Sequence, residues 1–255
     1  MVHFVGAGPG AKDLITVRGA ALLAGADMII YTGSLINKEL LEYAGENCRM
    51  YDSAYLDLDE VAGLYRDNRD LDIVRLHTGD PSIYGAIKEQ MDILDKEGIE
   101  YEVCPGVSSM AGAAASLKTE LTLPGVSQSI IISRTGGRTK VPPCQELSAL
   151  SAHGSTMVLF LSAGLAYKVR DELTAGGYDE DTPAAVVYKA TWDDEKILRT
   201  TLGKLPEEMD AQGINKTALI IVGNVLDGEY ELSKLYDKDF DTGFRTGTGR
   251  QSTDS

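Results

Sequence analysis

Val2-His3-Phe4-Val5-Gly6-Ala7-Gly8-Pro9-Gly10-Ala11 stands almost at the start of the chain and decides how the rest is read. Its first four residues are mainly apolar, two of them β-branched, and read as a strand. The glycines that follow fit G-x-G-x-x-G/A, the turn from a first strand into a dinucleotide-binding helix. Two neighbouring features count against a dinucleotide. The next strand, Asp27–Tyr31, carries its acid at the beginning, whereas a ribose-binding carboxylate belongs at the end. Thr16 is a good N-cap for a helix from Val17, so Lys12–Ile15 intervene and no helix N-terminus faces a pyrophosphate. A tight turn shaped by glycine geometry and a ligand-lining loop of another kind both stay open.

Outward from this loop, short β-branched runs alternate with helical stretches. Asp72–Leu76 and Glu100–Cys104 continue the strands, and segments near Val17–Ala24, Leu58–Arg69 and Pro81–Glu97 carry helical periodicity. Such alternation predicts a mostly parallel sheet covered on both faces. After the Ala/Ser/Gly-rich Ser108–Ser116 a second series follows: Ser129–Ser133, Thr156–Leu161, Ala184–Tyr188, Ile197–Leu202 and Ala218–Val222. The short Thr191–Glu195 connection predicts a hairpin, and hence a mixed second sheet. The expectation is two α/β domains, 1–115 and 116–236, with a ligand site in the cleft between them. Residues 237–255, polar and poor in apolar side chains, are expected to be a disordered tail.

Composition removes several function classes. No apolar run nears the roughly 20 residues of a membrane span, and the N-terminus lacks the basic start of a signal peptide. Cys48, Cys104 and Cys144 are odd in number and far apart, which suggests neither a disulfide framework nor a CxxC metal site. A cytoplasmic location is therefore expected. A net charge of −15 argues against nucleic-acid binding, which needs a basic surface. His3, His77 and His153 form no metal set, and no Ser-His-Asp or Cys-His arrangement is recognisable.

Four segments then gain meaning together. Gly6–Gly10 with Asp13-Leu14-Ile15-Thr16, His77-Thr78-Gly79-Asp80-Pro81-Ser82-Ile83-Tyr84-Gly85, Pro105-Gly106-Val107-Ser108-Ser109 and Ala218–Gly223 occur in the order of the tetrapyrrole (corrin and porphyrin) methylases. Each segment alone is weak; their joint order over residues 2 to 226 resembles that family strongly. Tyr31-Thr32-Gly33-Ser34-Leu35, Leu123–Gln128 and Arg134-Thr135-Gly136-Gly137-Arg138-Thr139 look like the branch acting on carbon 11 of precorrin-4 or cobalt-precorrin-4. The siroheme-forming branch has an acid where Thr32 stands, so the resemblance leaves any proton acceptor unassigned.

The resemblance implies an S-adenosylmethionine-dependent C-methyltransferase of cobalamin synthesis, which releases S-adenosylhomocysteine. It also implies a polycarboxylate tetrapyrrole as substrate, no metal, and a homodimer. It carries donor contacts to Pro9, Thr78, Gly79, Asp80, Ile83, Tyr84, Ser108, Ser109, Leu161, Ala190 and Ala218. Substrate contacts fall to Thr32, Gly33, Ser34, Arg134 and Arg138, since guanidinium forks bind carboxylates. Plainer readings stand beside these. Asp80-Pro81 is a favoured helix start, Ser108 and Ser109 are good caps, and Leu161, Ala190 and Ala218 read as core. The arginine segment reads equally as a solvated loop, and His77 as a packed strand end. The glycine loop alone would suggest a dinucleotide-dependent oxidoreductase, and a non-catalytic binding protein could keep the same fold.

Overall fold

The computed structural model describes residues 1–137, 139–233 and 237–246. Its first sheet holds five strands: β1 (Val2–Gly6), β2 (Met28–Tyr31), β3 (Arg49–Asp52), β4 (Ile73–His77) and β5 (Tyr101–Cys104). They run in the order β3-β2-β4-β1-β5, and every pairing is parallel. Side chains alternate along each strand, so the sheet buries two apolar faces. Val5, Ile29, Val74 and Leu76 pack beneath α1 (Val17–Gly25). Phe4, Met28, Ile30 and Ile73 pack beneath α2 (Leu58–Asp67) and α3 (Lys88–Glu97). The capping box of Asp57 and Glu60 starts α2, and Gly98, at φ +63°, ends α3. β3 was not among the expected strands. It is an edge strand with Arg49 and Met50 exposed, so it lacks the apolar run of its buried neighbours.

α4 (Ser109–Leu117) follows β5 and packs on the second sheet, with Ala113 and Leu117 against Val158, Ala185, Val187 and Ile221. The boundary expected at 115/116 falls within this helix. The second sheet comprises β6 (Ile130–Ser133), β7 (Thr156–Leu159), β8 (Pro183–Tyr188), β9 (Lys196–Thr201) and β10 (Ala218–Val222) in the order β6-β7-β10-β8-β9. Only β6 and β7 pair in parallel, so the sheet is mixed, and β8 and β9 form the expected hairpin. Its far face is covered by α5 (Leu147–Leu150), α6 (Ala166–Ala175) and α7 (Leu205–Ala211). Residues 237–246 form no helix or strand, though the Asp237 carbonyl accepts from the Arg245 guanidinium. Positions 247–255 of the expected tail, and 234–236 at the end of the expected second domain, lie outside the described residues.

The carboxyl ends of β1, β4 and β5 meet in one crossing. Gly8 and Gly79 exchange backbone hydrogen bonds, the Gly79 N–H donating to the Gly8 carbonyl at 2.9 Å and the Gly8 N–H returning one at 3.3 Å. A Cβ on Gly106 would lie 2.2 Å from the Gly79 carbonyl oxygen and 2.7 Å from the Gly6 Cα. Asp80 ties the crossing: its Oδ2 accepts from the Gly106 N–H at 2.8 Å and its Oδ1 from the Ser82 N–H at 2.9 Å.

The helix expected from Pro81 does not form there. Residues 81–84 make one turn, Tyr84 and Ala86 adopt φ of 55° and 51°, and α3 opens only at Lys88. The Asp80 carboxylate, which reads in sequence as a helix cap, instead bonds the turn at Ser82 and the loop after β5.

Two outcomes follow from this crossing. Gly106→Ala forces backbone apart in a packed region and should cost about 1–3 kcal/mol, read as a lower urea midpoint. An unchanged midpoint would show that the loops separate freely. Burial pushes the Asp80 carboxyl up, but hydrogen bonds from Ser82 and from the Gly106 and Ser82 N–H groups outweigh it and leave it below the usual Asp value. A lowered folded value means the ionised group stabilises fully above the ordinary Asp range, near about 3.9, and loses that contribution as pH falls through the folded value. Asp80→Asn should therefore be less stable than wild type at pH 7, with the gap narrowing below about pH 4. A gap that held constant to pH 2.5 would rule out the ionised carboxylate as its source.

Candidate active site

Above the crossing, between the two sheets, lies a cavity of about 1050 Å³. Open parallel sheets bind ligands at the carboxyl ends of their strands, and this cavity sits there. Pro9, Thr32, Arg75, His77, Thr78 and Tyr84 line it from the first sheet, and Phe160, Leu161, Lys189, Ala190, Trp192 and Ala218 from the second. Ser109, at the start of α4, joins the wall.

The glycine loop is held by the second domain. The indole N–H of Trp192 donates to the Pro9 carbonyl at 3.1 Å, and the Thr191 hydroxyl accepts from the Ala11 N–H at 3.0 Å. A Cβ on Gly10 would lie 2.1 Å from the Trp192 ring, so close contact there requires glycine. Asn37 adds a hydrogen bond from its amide to the Gly10 carbonyl at 3.0 Å. Behind the loop, Lys12–Leu14 form a short 3-10 turn, and Thr16 caps α1 by accepting from the Gly19 N–H at 3.1 Å. The 3-10 turn thus separates α1, which opens at Val17, from the glycines, as the position of Thr16 predicts.

Backbone strain gathers around the cleft. Among the described residues seven non-glycines have positive φ, and five of them, Tyr84, Ala86, Leu161, Lys189 and Thr217, line the cavity. Each such residue costs on the order of 1–3 kcal/mol and persists only where its surroundings impose it. Lys189 and Thr217 impose it on each other, the Lys189 N–H donating to the Thr217 carbonyl at 2.9 Å. Leu161, 71% exposed, displays an apolar side chain to the cleft. The Tyr84 and Phe160 rings, 5.5 Å apart, bridge the two domains.

Several cations face the cavity despite the acidic composition. The Arg134 guanidinium donates to the Thr139 carbonyl at 3.0 Å and the Lys140 carbonyl at 3.3 Å, which braces its own loop. Lys189 pairs with Asp194 at 2.5 Å and stands 5.1 Å from the centre of the Trp192 ring. The hydrogen bond it donates to the Asp194 carboxylate raises its pKa, so it stays charged. Burial pushes His77 down to about 3, and the Arg75 charge acts in the same direction, so its imidazole is neutral at working pH.

Of the residues expected in the site, Pro9, Thr32, Thr78, Ile83, Tyr84, Ser109, Arg134, Leu161, Ala190 and Ala218 share the cavity wall. Gly79, Asp80 and Ser108 stand behind it: Gly79 lies under Ser109, Asp80 ties the loops, and Ser108 caps α4 by accepting from the Met110 N–H at 3.2 Å. Gly33 is buried and donates its N–H to Asp52 at 2.9 Å, and Ser34 is exposed without lining the cavity. Arg138 lies outside the described residues. Sequence reasoning missed Arg75, Gln90, Phe160, Lys189 and Trp192, all on the wall. Arg75 carried a usable signal, a charge inside the apolar run Ile73-Val74-Arg75-Leu76. Among the described residues no three His, Cys, Asp or Glu side chains gather as a metal site.

Comparison with known proteins agrees with this arrangement. Residues 1–206 match the family described as Tetrapyrrole (Corrin/Porphyrin) Methylases. The chain is 54% identical to the cobalt-precorrin-4 C(11)-methyltransferase of Methanocaldococcus jannaschii over 96% of its own length and 95% of that protein. It is 43% identical to the precorrin-4 C(11)-methyltransferase of a Sinorhizobium species, covering 96% of this chain and 98% of that one. The solved structure of a cobalt precorrin-4 methyltransferase, CbiF, superposes with a TM-score of 0.86 at 45% identity, over 89% of this chain and 96% of that one. A uroporphyrin-III C-methyltransferase from Thermus thermophilus complexed with S-adenosyl homocysteine gives 0.72 at 25% identity, over 88% and 92%. With its cleft built by a parallel and a mixed sheet, and with these similarities along nearly its whole length, the chain belongs to the tetrapyrrole methylase family.

Proposed function

We propose that this protein transfers a methyl group from S-adenosylmethionine to carbon 11 of precorrin-4 or cobalt-precorrin-4. The observation that carries the reading is the cavity itself, where the glycine crossing, the α4 N-terminus and the second-sheet loops converge. The residues present suit the donor. Pro9, Leu161, Ala190 and Ala218 offer small or apolar surface for an adenosyl and thioether group, while Thr78 and Ser109 offer polar groups beside it. Gly79, which keeps backbone close to Ser109, Asp80 and Ser108 would hold this half of the site in shape, and Ile83 and Tyr84 would close its edge.

The bound donor supplies a sulfonium whose methyl group is already activated. The protein's part is to align that methyl with the attacking carbon, and alignment alone is worth roughly 7–11 kcal/mol. The strained cavity residues suit such a task, because their positions are imposed by packing and hydrogen bonds. Thr32 follows β2 directly, with a hydroxyl 3.5 Å from that of Ser53, and carries no carboxylate, so no proton acceptor is assigned there. Arg75, Arg134, Lys189 and Lys216 outnumber Asp57 and Glu89 on the cleft wall, a local excess of positive charge within a chain of net charge −15 that suits a polycarboxylate. Thr32 and its neighbours Gly33 and Ser34 would shape the substrate side of the trough. Among the described residues no helix is long and apolar enough to cross a membrane. We take the enzyme to work in the cytoplasm, on the reading of its N-terminus and cysteines, and as a homodimer, on the family resemblance alone.

Incubation with carbon-13-labelled donor, followed by NMR of the product, should place one label at carbon 11 of cobalt-precorrin-4 or precorrin-4. Uroporphyrinogen III should be methylated slowly or not at all. Label at another carbon, or efficient turnover of uroporphyrinogen III, would defeat the assignment to carbon 11 and leave family membership intact. S-adenosylhomocysteine should raise the melting temperature, since it binds the folded state, whereas NAD should leave it unchanged.

A further inference from the structure

Arg75 is a buried cation with no anion beside it. It is 7% exposed and lines the cavity floor. Among the described residues no carboxylate lies within 4 Å of it, whereas Arg66, Arg69 and Arg170 at the surface all pair with acids. Its Nε donates to Gln90 Oε1 at 3.3 Å, and its Nη1 faces the Ile30 carbonyl at 3.2 Å and the Thr32 hydroxyl at 3.4 Å. Those acceptors are neutral, as are the Leu76 carbonyl that Nη1 reaches at 3.5 Å and the Tyr65 hydroxyl beside the guanidinium, so none of them balances its charge. Gln90 is itself fixed, accepting from the Tyr65 hydroxyl at 2.8 Å and donating to the Ala86 carbonyl at 3.1 Å. The guanidinium is therefore oriented but not neutralised.

Withdrawing such a charge from water costs several kcal/mol, and natural folds normally set an anion beside it. Arginine does not escape by losing its proton. Acids are abundant in this chain, 39 against 24 basic residues, and Asp57 and Glu89 line the same cavity, yet neither comes within ion-pair distance of the guanidinium. A second incompletely bonded group stands two residues on, on the same face of β4: His77 is 5% exposed, and its Nε2 has no hydrogen-bond partner. Leu56, Leu58 and Val61 also line the cavity. An apolar wall with an unpaired guanidinium at its base suits the edge of a flat macrocycle that bears a carboxylate side chain.

We infer that Arg75 receives a peripheral carboxylate of the tetrapyrrole, and so determines which edge of the macrocycle lies against β4. The inference rests on the tetrapyrrole reading above and adds to it a residue that sequence reasoning did not single out.

Steady-state methylation of cobalt-precorrin-4 by wild type, Arg75→Gln and Arg75→Lys tests it, with calorimetric titration of S-adenosylhomocysteine in parallel. Arg75→Gln should raise KM at least tenfold, and Arg75→Lys should recover part of the loss by keeping the charge without the fork. Donor-product affinity should stay within twofold in both. Added potassium chloride should raise the wild-type KM more steeply than that of Arg75→Gln, because one screened pair has been removed. An unchanged KM with the wild-type salt dependence would overturn the inference. So would a fall in S-adenosylhomocysteine affinity as large as the rise in KM, which marks a structural brace. Arg75→Lys preserves charge and most of the volume, and carries the test if the glutamine variant does not fold. Failure of the wild type to methylate cobalt-precorrin-4 or precorrin-4 would strike the functional reading, whereas a variant indistinguishable from an active wild type would strike Arg75 alone.

Discussion

Three backbones, those of Gly6, Gly79 and Gly106, meet at the carboxyl edge of the parallel sheet with no room for a single Cβ between Gly106 and its neighbours. The rest of the site depends on that approach. It brings the ends of β1, β4 and β5 together, and the Asp80 carboxylate bonded to the Gly106 N–H holds β4's loop to β5's. Because the crossing ends where Ser108 caps α4, the same contact fixes where the second sheet begins. The crossing sets the floor of the cleft from the first sheet alone; the second sheet is tied to it by the Trp192 indole and the Thr191 hydroxyl, which bond the backbone of Pro9 and Ala11.

The second domain contributes in a complementary way. Its hairpin turn closes over Pro9 and Gly10, and its loops bear the Leu161, Lys189 and Thr217 backbones in the left-handed region. Strain at a cleft and tight packing beneath it have a common origin: both sheets are buried on two faces, and the strand ends have little freedom to relax. The stability of the four hydrophobic clusters is what sustains unfavourable conformations at the surface where a ligand would sit.

Much of this architecture was legible because buried strands write their environment into their composition. Met28–Ile30 and Ala218–Val222 are apolar on successive residues, the pattern of strands covered on both faces. Arg49–Asp52 was not legible, since an edge strand with one neighbour needs no such run. Asp80-Pro81 was misread for a different reason. The capping chemistry is real, but the carboxylate's decisive partner lies 26 residues away, and local pattern carries no information about that distance. The ordered glycine segments pointed to the cavity wall, while Trp192 and Lys189 reached it only through the hairpin fold. Arg75 stood in plain view as a charge in an apolar strand; what the sequence could not display was that no acid would be folded beside it.

The hairpin closure has one spectroscopic consequence. Trp192 is the only tryptophan in the chain, and its indole is pressed against Gly10, hydrogen-bonded to the Pro9 carbonyl, and part of the cavity wall. All indole emission therefore originates at the seam between the two sheets. Any change in its wavelength or quenching reports the polarity and width of that seam, with no background from elsewhere in the fold, so the protein carries a built-in optical gauge of its own interdomain contact.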